Sequence, residues 1–226
     1  MSGIVYEDRS IIVYHKPPGL AVQTSRAGEA DLEHELKCHV AKEAPGEKIF
    51  IGVVHRLDQP VEGLLVFAKS PKAQAELGRQ AAVKDEAGGM VKEYIAGVYG
   101  ALEPPEGRLE DHIIAGGKGI SARIGSPGEA GAKASALSYS ELGRSEETQL
   151  LRIRLESGRH HQIRLQLSSR GCPILGDRRY GSDAAKAYAE AHSIRNIQLK
   201  AVHLSFRHPD DGRMMDFRLE ETFQTT

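Results

Sequence analysis

Cysteine is scarce in this chain: Cys38 and Cys172 are the only two among 226 residues. Two thiols so far apart supply neither a disulfide framework nor a metal-ligand spacing, and they fit a reducing, cytoplasmic setting. No basic-then-apolar leader opens the sequence. No apolar run approaches the ~20 residues that cross a bilayer, so a membrane partner is not expected. An excess of charge of one sign is also missing, since 30 Lys and Arg against 31 Asp and Glu leave a formal net charge of -1. Nucleic-acid binders commonly carry a basic excess, but phosphate contact depends on a local patch rather than on the sum. Internal repeats and convincing linkers are absent as well.

What is present is ordinary for a globular protein, with 40% hydrophobic and 27% charged residues. The length allows one large domain or two small ones sharing a cleft. Ile4–Tyr6 and Ile11–Tyr14 flank a turn-forming Glu7-Asp8-Arg9-Ser10 and predict a hairpin. Lys16-Pro17-Pro18-Gly19 then interrupts regular structure. Leu32, Leu36 and Val40 predict a helix from about Asp31, and Ser70-Pro71 predicts another that runs to Ala81. Strands are expected over 51–54, 64–68, 93–99, 150–155 and 201–206, and a helix over 183–191. The stretch 104–131 is rich in Gly and Pro, with loops expected at 116–119 and 126–128. Strands outnumber helices without regular alternation, which favours an α+β fold.

Two segments carry chemical interest. In Val54-His55-Arg56-Leu57-Asp58-Gln59-Pro60, a charged trio follows an apolar strand and precedes a turn. Strand ends of this kind commonly bear function, although a turn stabilised by an Asp–Arg pair fits the same residues. The second segment, 151–180, holds seven arginines (152, 154, 159, 164, 170, 178 and 179) against Glu156 and Asp177 alone. It suits a polyanion, or simply a solvated charged surface.

His55-Arg56-Leu57-Asp58, followed by Gly63-Leu64-Leu65 and Ala68-Lys69, resembles the signature of the RluA-type pseudouridine synthases of ribosomal and transfer RNA. Three further stretches match in the family's order. They are Lys16-Pro17-Pro18-Gly19-Leu20, the strand Lys92–Gly100, and Ser157–Leu165 continuing to Gly176-Asp177 and Tyr180-Gly181. His203, Leu204, Phe206, His208-Pro209 and Gly212 fit its closing strand and turn, so the likeness runs from about Ile4 to Leu219.

The resemblance implies a mixed, mainly antiparallel sheet with flanking helices and a central cleft. It implies a single catalytic domain over 1–226, built of two halves, without an accessory N-terminal RNA-binding domain. Asp58 takes the catalytic aspartate's role, Tyr94 that of the active-site tyrosine, and Arg164 that of the arginine paired with the aspartate. Ile163, Leu165 and Leu167 alternate like a strand, but the resemblance implies a helix ending near Gly171, and the helix is adopted here. Lys16, Arg159, Arg178 and Arg179 are expected at RNA phosphates. His55 and Arg56 are expected to position the loop or a phosphate, and Leu165 to line the pocket or serve the core. Target choice is expected to rest on loops such as Ala115–Gly131.

The chemistry fits these residue types. A carboxylate can attack the sugar or remove a sugar proton, and a tyrosine offers a flat face and a hydroxyl to the uracil. Neither metal nor cofactor is called for; the expected partner is structured RNA, rRNA or tRNA, met by a monomer. Val61 and Glu62 stand where the family usually has threonine and serine, and His160 where it has threonine. Val61 and Glu62 motivate one alternative, a catalytically silent RNA-binding protein of the same fold. A carboxylate-dependent glycoside hydrolase is the other, with Glu62 the only obvious second carboxylate near Asp58.

Overall fold

The computed structural model describes residues 2–24, 28, 30–43, 45–83, 89–117 and 121–223. Among them the chain forms eleven strands and four helices. The first half runs β1 (Ile4–Glu7), β2 (Ile11–Lys16), α1 (Leu32–Glu43), β3 (Gly52–Val53), β4 (Glu62–Ala68), α2 (Pro71–Ala82) and β5 (Val91–Tyr99). Then come β6 (Glu106–Ile114), β7 (Arg123–Gly125), β8 (Ala132–Arg144), β9 (Thr148–Leu155), α3 (Gln162–Ser168), α4 (Asp183–Ala191), β10 (Leu199–Arg207) and β11 (Met214–Arg218). They belong to two compact units, one of residues 1–92 and 201–220, the other of 93–200 and 221–226.

In the first unit the strand order is β1-β2-β4-β10, with β3 beside β4 and β11 beside β10. β1 and β2 form the expected antiparallel hairpin, and β2 pairs antiparallel with β4 from Ile11↔Ala68 to Lys16↔Gly63. β4 is buried on both faces from Gly63 to Ala68, which is why its apolar residues run on without alternation. Ile11, Val13, Leu64, Val66, Leu204 and Phe206 form a core with Ala73 and Leu77 of α2. Ser70 caps α2 by accepting from the Ala73 N–H at 3.2 Å, with Pro71 at the first helical position. Asp31 does the same for α1, accepting from the His34 N–H at 2.8 Å.

The second unit has the order β5-β9-β8-β6-β7, and its strands pair antiparallel. Here the sequence reading needs correction. No strand was expected in the Gly- and Pro-rich stretch, yet it contains β6, which pairs with β8 over nine registers from Glu106↔Ser140 to Ile114↔Ala132. Only Leu109 and Ile113 of β6 are buried, four residues apart among Glu, Asp and Gly, so no period-two signal marked it. β7 lies in the same stretch, and β8 had not been recognised at all. The expected loop at 126–128 is present; of 116–119, Lys118 and Gly119 lie outside the described residues. α3 is a helix, as the resemblance implied and the alternation did not. The Gly171 N–H closes its end on Ser168 O with φ +74°. The architecture is α+β, its sheet mostly antiparallel, with an isolated parallel bridge between Ala21 and Asp31.

Candidate active site and the family of the chain

Asp58 sits on the connection between β3 and β4. This connection is held from several sides. The Val61 N–H donates to Asp58 O at 3.0 Å and closes a turn. The Gln59 carbonyl accepts from the Gly19 N–H at 2.9 Å and from Lys16 Nζ at 3.0 Å. Gln59 Nε2 returns a bond to Gly19 O at 3.0 Å. Leu57 and Val61 are buried on either side of Asp58, which remains half-buried, while Arg56 is exposed. The loop therefore offers one carboxylate from a fixed backbone.

Lys16 was expected at an RNA phosphate, and this has to be corrected. Its side chain is fully buried, and Nζ donates to the carbonyls of Pro17, Leu20 and Gln59 at 2.9, 2.9 and 3.0 Å. An ammonium has three donors, so none is left for a phosphate. Burial lowers its pKa to about 8, against the opposing pull of the Asp58 and Glu62 charges. Lys16 is a clamp joining the Pro17–Leu20 loop to the Asp58 loop.

His55 also serves the loop rather than a phosphate. Its Nε2 accepts from the Val66 N–H at 3.3 Å, and Nδ1 is buried without a partner among the described residues. Burial, helped by the Lys92 charge, pushes its pKa down to about 3, so the ring is neutral at pH 7. Val61 and Glu62, the departures from the family pattern, are absorbed locally. Val61 belongs to the core, and Glu62 Oε1 lies 2.8 Å from His15 Nε2.

Tyr94, Arg159, Arg164, Leu165, Arg178 and Arg179 lie in the second unit. Tyr94 is buried on β5, opposite Ile153 of β9. Arg164, on α3, forks onto the buried Asp177, with Nε to Oδ2 and Nη2 to Oδ1 both at 2.8 Å. Burial would raise the Asp177 pKa, but the Arg164 bond and charge, with the N–H groups of Arg179 and Tyr180, hold it below the usual range. The guanidinium also lies 5.2 Å from the centre of the Tyr180 ring. Tyr180 Oη in turn meets His161 Nδ1 at 2.8 Å, and His160 stacks on His161 at 3.7 Å. Asp177 as the anchor of Arg164 was not recognised from sequence. The only signal was its place in the Gly176-Asp177 match.

Leu165 packs with Ile113 and Ala122 beside Ile124 and Tyr180, which is the core alternative. The seven-arginine segment is less free than its composition suggested. Arg152 pairs with Glu221 at 2.6 Å, Arg164 with Asp177 at 2.8 Å and Arg170 with Asp111 at 2.7 Å. Arg159, Arg178 and Arg179 are exposed; Arg159 Nε donates to Ala134 O and Arg179 Nε to Ser121 Oγ. Both cysteines are free thiols, and no helix among the described residues is long and apolar enough to cross a membrane.

Comparison with known proteins bears directly on this arrangement. The family described as RNA pseudouridylate synthase matches residues 10–169, which include Asp58, Tyr94 and Arg164. An uncharacterized RNA pseudouridine synthase of Aquifex aeolicus is 34% identical over 96% of this chain and 69% of its own length. The dual-specificity RNA pseudouridine synthase RluA of Yersinia pestis is 32% identical over 97% of this chain and 99% of its own. The ribosomal large subunit pseudouridine synthase D of Zymomonas mobilis is 31% identical, over 96% and 68%. In fold, the human RNA pseudouridylate synthase domain containing 4 superposes with a TM-score of 0.76 at 20% identity, covering 97% of this chain and 88% of that one. The chain belongs to the RNA pseudouridylate synthase family, whose members are isomerases.

Proposed function

We propose that the protein isomerises uridine to pseudouridine in structured rRNA or tRNA, with Asp58 as its catalytic carboxylate. The observation that carries this reading is the Asp58 loop: a half-buried carboxylate between buried neighbours, on backbone clamped by Lys16 and Gly19. Such fixation suits a group that must meet a sugar carbon at one geometry.

The reaction breaks the bond between uracil N1 and the sugar C1′, turns the base, and joins C5 to C1′. The proton lost from C5 balances the one gained at N1, so no redox partner enters. The target must first leave its stack, at a cost of a few kcal/mol offset by pocket and phosphate contacts. Asp58 then attacks C1′ or takes a proton from the sugar. Tyr94 provides the ring face and hydroxyl for the uracil. Arg164, oriented by the Asp177 fork, provides the fixed positive charge that complements the catalytic carboxylate. Arg56, Arg159, Arg178 and Arg179 contact the RNA backbone. A monomer acting in the cytoplasm fits two free thiols and an RNA substrate.

The silent-binder alternative rested on Val61 and Glu62. Burial of the first and the His15 partner of the second account for both residues through local packing, without disturbing Asp58. The test is nucleoside analysis of total RNA, from cells lacking the gene, after incubation with purified protein or with Asp58→Asn. Pseudouridine has the mass of uridine, so chromatographic retention and resistance to glycosidic cleavage identify it. The wild type should form it and Asp58→Asn should form none while retaining its thermal transition. RNA binding without product in the wild type would instead establish the silent binder.

A further inference from the structure

A recess lies in the unit of residues 93–200, built on α4. Its volume is about 510 Å³, within the range of small-ligand sites. Ile174, Ala185, Ala189 and Ile194 give it apolar walls, while Arg178, Lys186 and Arg195 bring three cations to its lining. Ser193, in a left-handed conformation at φ +56°, turns the chain after α4. The Ile194 N–H then closes on Ala189 O at 2.7 Å, returning Ile194 and Arg195 to the recess.

The charge balance of this lining is positive. Asp177 is part of it, but both its oxygens are engaged by Arg164 and by the N–H groups of Arg179 and Tyr180. Glu190 is the remaining acid. Among the described residues Lys186 has only a long ion-pair contact, with the exposed Asp183 at 4.0 Å. Arg178 and Arg195 have no ion-pair partner among the described residues. Apolar walls with a cationic lining match the two halves of a nucleotide, a flat base and an anionic phosphate.

We propose that this recess holds an unpaired nucleotide of the RNA substrate other than the uridine being isomerised, its base against Ala185, Ala189 and Ile194 and its phosphate at Arg178, Lys186 and Arg195. The inference rests on the reading that the chain acts on RNA, and it adds a subsite that selects substrate. Asp177 lines this recess and also holds Arg164, so the proposed subsite shares a wall residue with the anchor of the proposed active-site arginine.

The test uses isotopically labelled full-length protein titrated with uridine 5′-monophosphate and, separately, with inorganic phosphate. The nucleotide should shift the amide resonances of Ala185, Ala189 and Ile194, and phosphate should leave them in place. Lys186→Gln with Arg195→Gln should weaken that binding at least fivefold. The same pair should weaken binding of total tRNA about tenfold and lower its salt slope by about 0.7. Unchanged thermal unfolding of the double variant shows that the fold is intact. Equal shifts with phosphate alone would overturn the nucleotide site in favour of a bare anion site. Silent α4 amides, or unchanged RNA affinity in the double variant, would overturn the subsite altogether. Pseudouridine formation is read separately. A wild type that fills the recess yet forms no product refutes the isomerase reading, whereas normal product with an unfilled recess refutes only the subsite.

Discussion

His55 shows how a residue beside a catalytic candidate can matter through its neutrality. Its Nε2 accepts from Val66, so the ring proton sits on Nδ1, and burial opposes a second proton. Unfolded imidazole titrates near 6.5, whereas the folded value is about 3. Between those values the unfolded chain binds a proton that the folded chain refuses, so stability rises with pH across the window and is lost as pH falls from 6.5. His55→Gln should remove this component. Urea unfolding at pH 7 and pH 4.5 should show a smaller loss for the variant, and an equal loss in both proteins would refute the assignment. Asp58, Tyr94 and Arg164 were legible as candidates because a motif spells them out. The anchoring of Arg164 by Asp177 and the burial of Lys16 were not, because both depend on residues brought together only by folding. A lysine in a loop motif looks the same in sequence whether its amine meets phosphate or three carbonyls.

Among the elements, β4 sets the tightest constraint. Gly63 has φ +137°, and a Cβ there would lie 2.5 Å from the Ala201 N, O and Cβ atoms. Gly63→Ala thus combines backbone strain with a clash against backbone that cannot swing away. A loss of more than ~3 kcal/mol is expected, seen as a large drop in urea midpoint or as insoluble protein. A variant as stable as the wild type would show that β4 and β10 approach less closely. The start of α2 at Ser70, the helix from about Asp31, and the buried strands β2, β4 and β10 were readable because a cap, a four-residue apolar period and apolar runs are local signals. β6 was not, since its place comes from nine registers with β8 rather than from its own side chains. α3 lay between: Ile163, Leu165 and Leu167 are all buried because nearly the whole helix is, and total burial erases the helical period.

For the molecule as a whole, a formal charge of -1 conceals an uneven surface. Acidic partners take up several arginines of the 151–180 segment, leaving Arg178 and Arg179 exposed beside Asp177. Reversing both to glutamate should weaken tRNA binding at low salt and lower the dependence of log affinity on log salt by about 1.5 or more. Unchanged affinity and slope would remove them from the RNA interface. Composition foretold a patch but could not tell paired from unpaired arginines, because Asp111 and Glu221 are distant in sequence. The unit divided between 1–92 and 201–220 also has a consequence for birth on the ribosome. β4 must wait for β10, its neighbour in the strand order, until residue 207 has been made. The intervening unit has all five of its strands by residue 155 and α4 by 191. Vectorial synthesis therefore lets the later-encoded unit fold first, while the unit bearing Asp58 is completed only once β10 and β11 have been made.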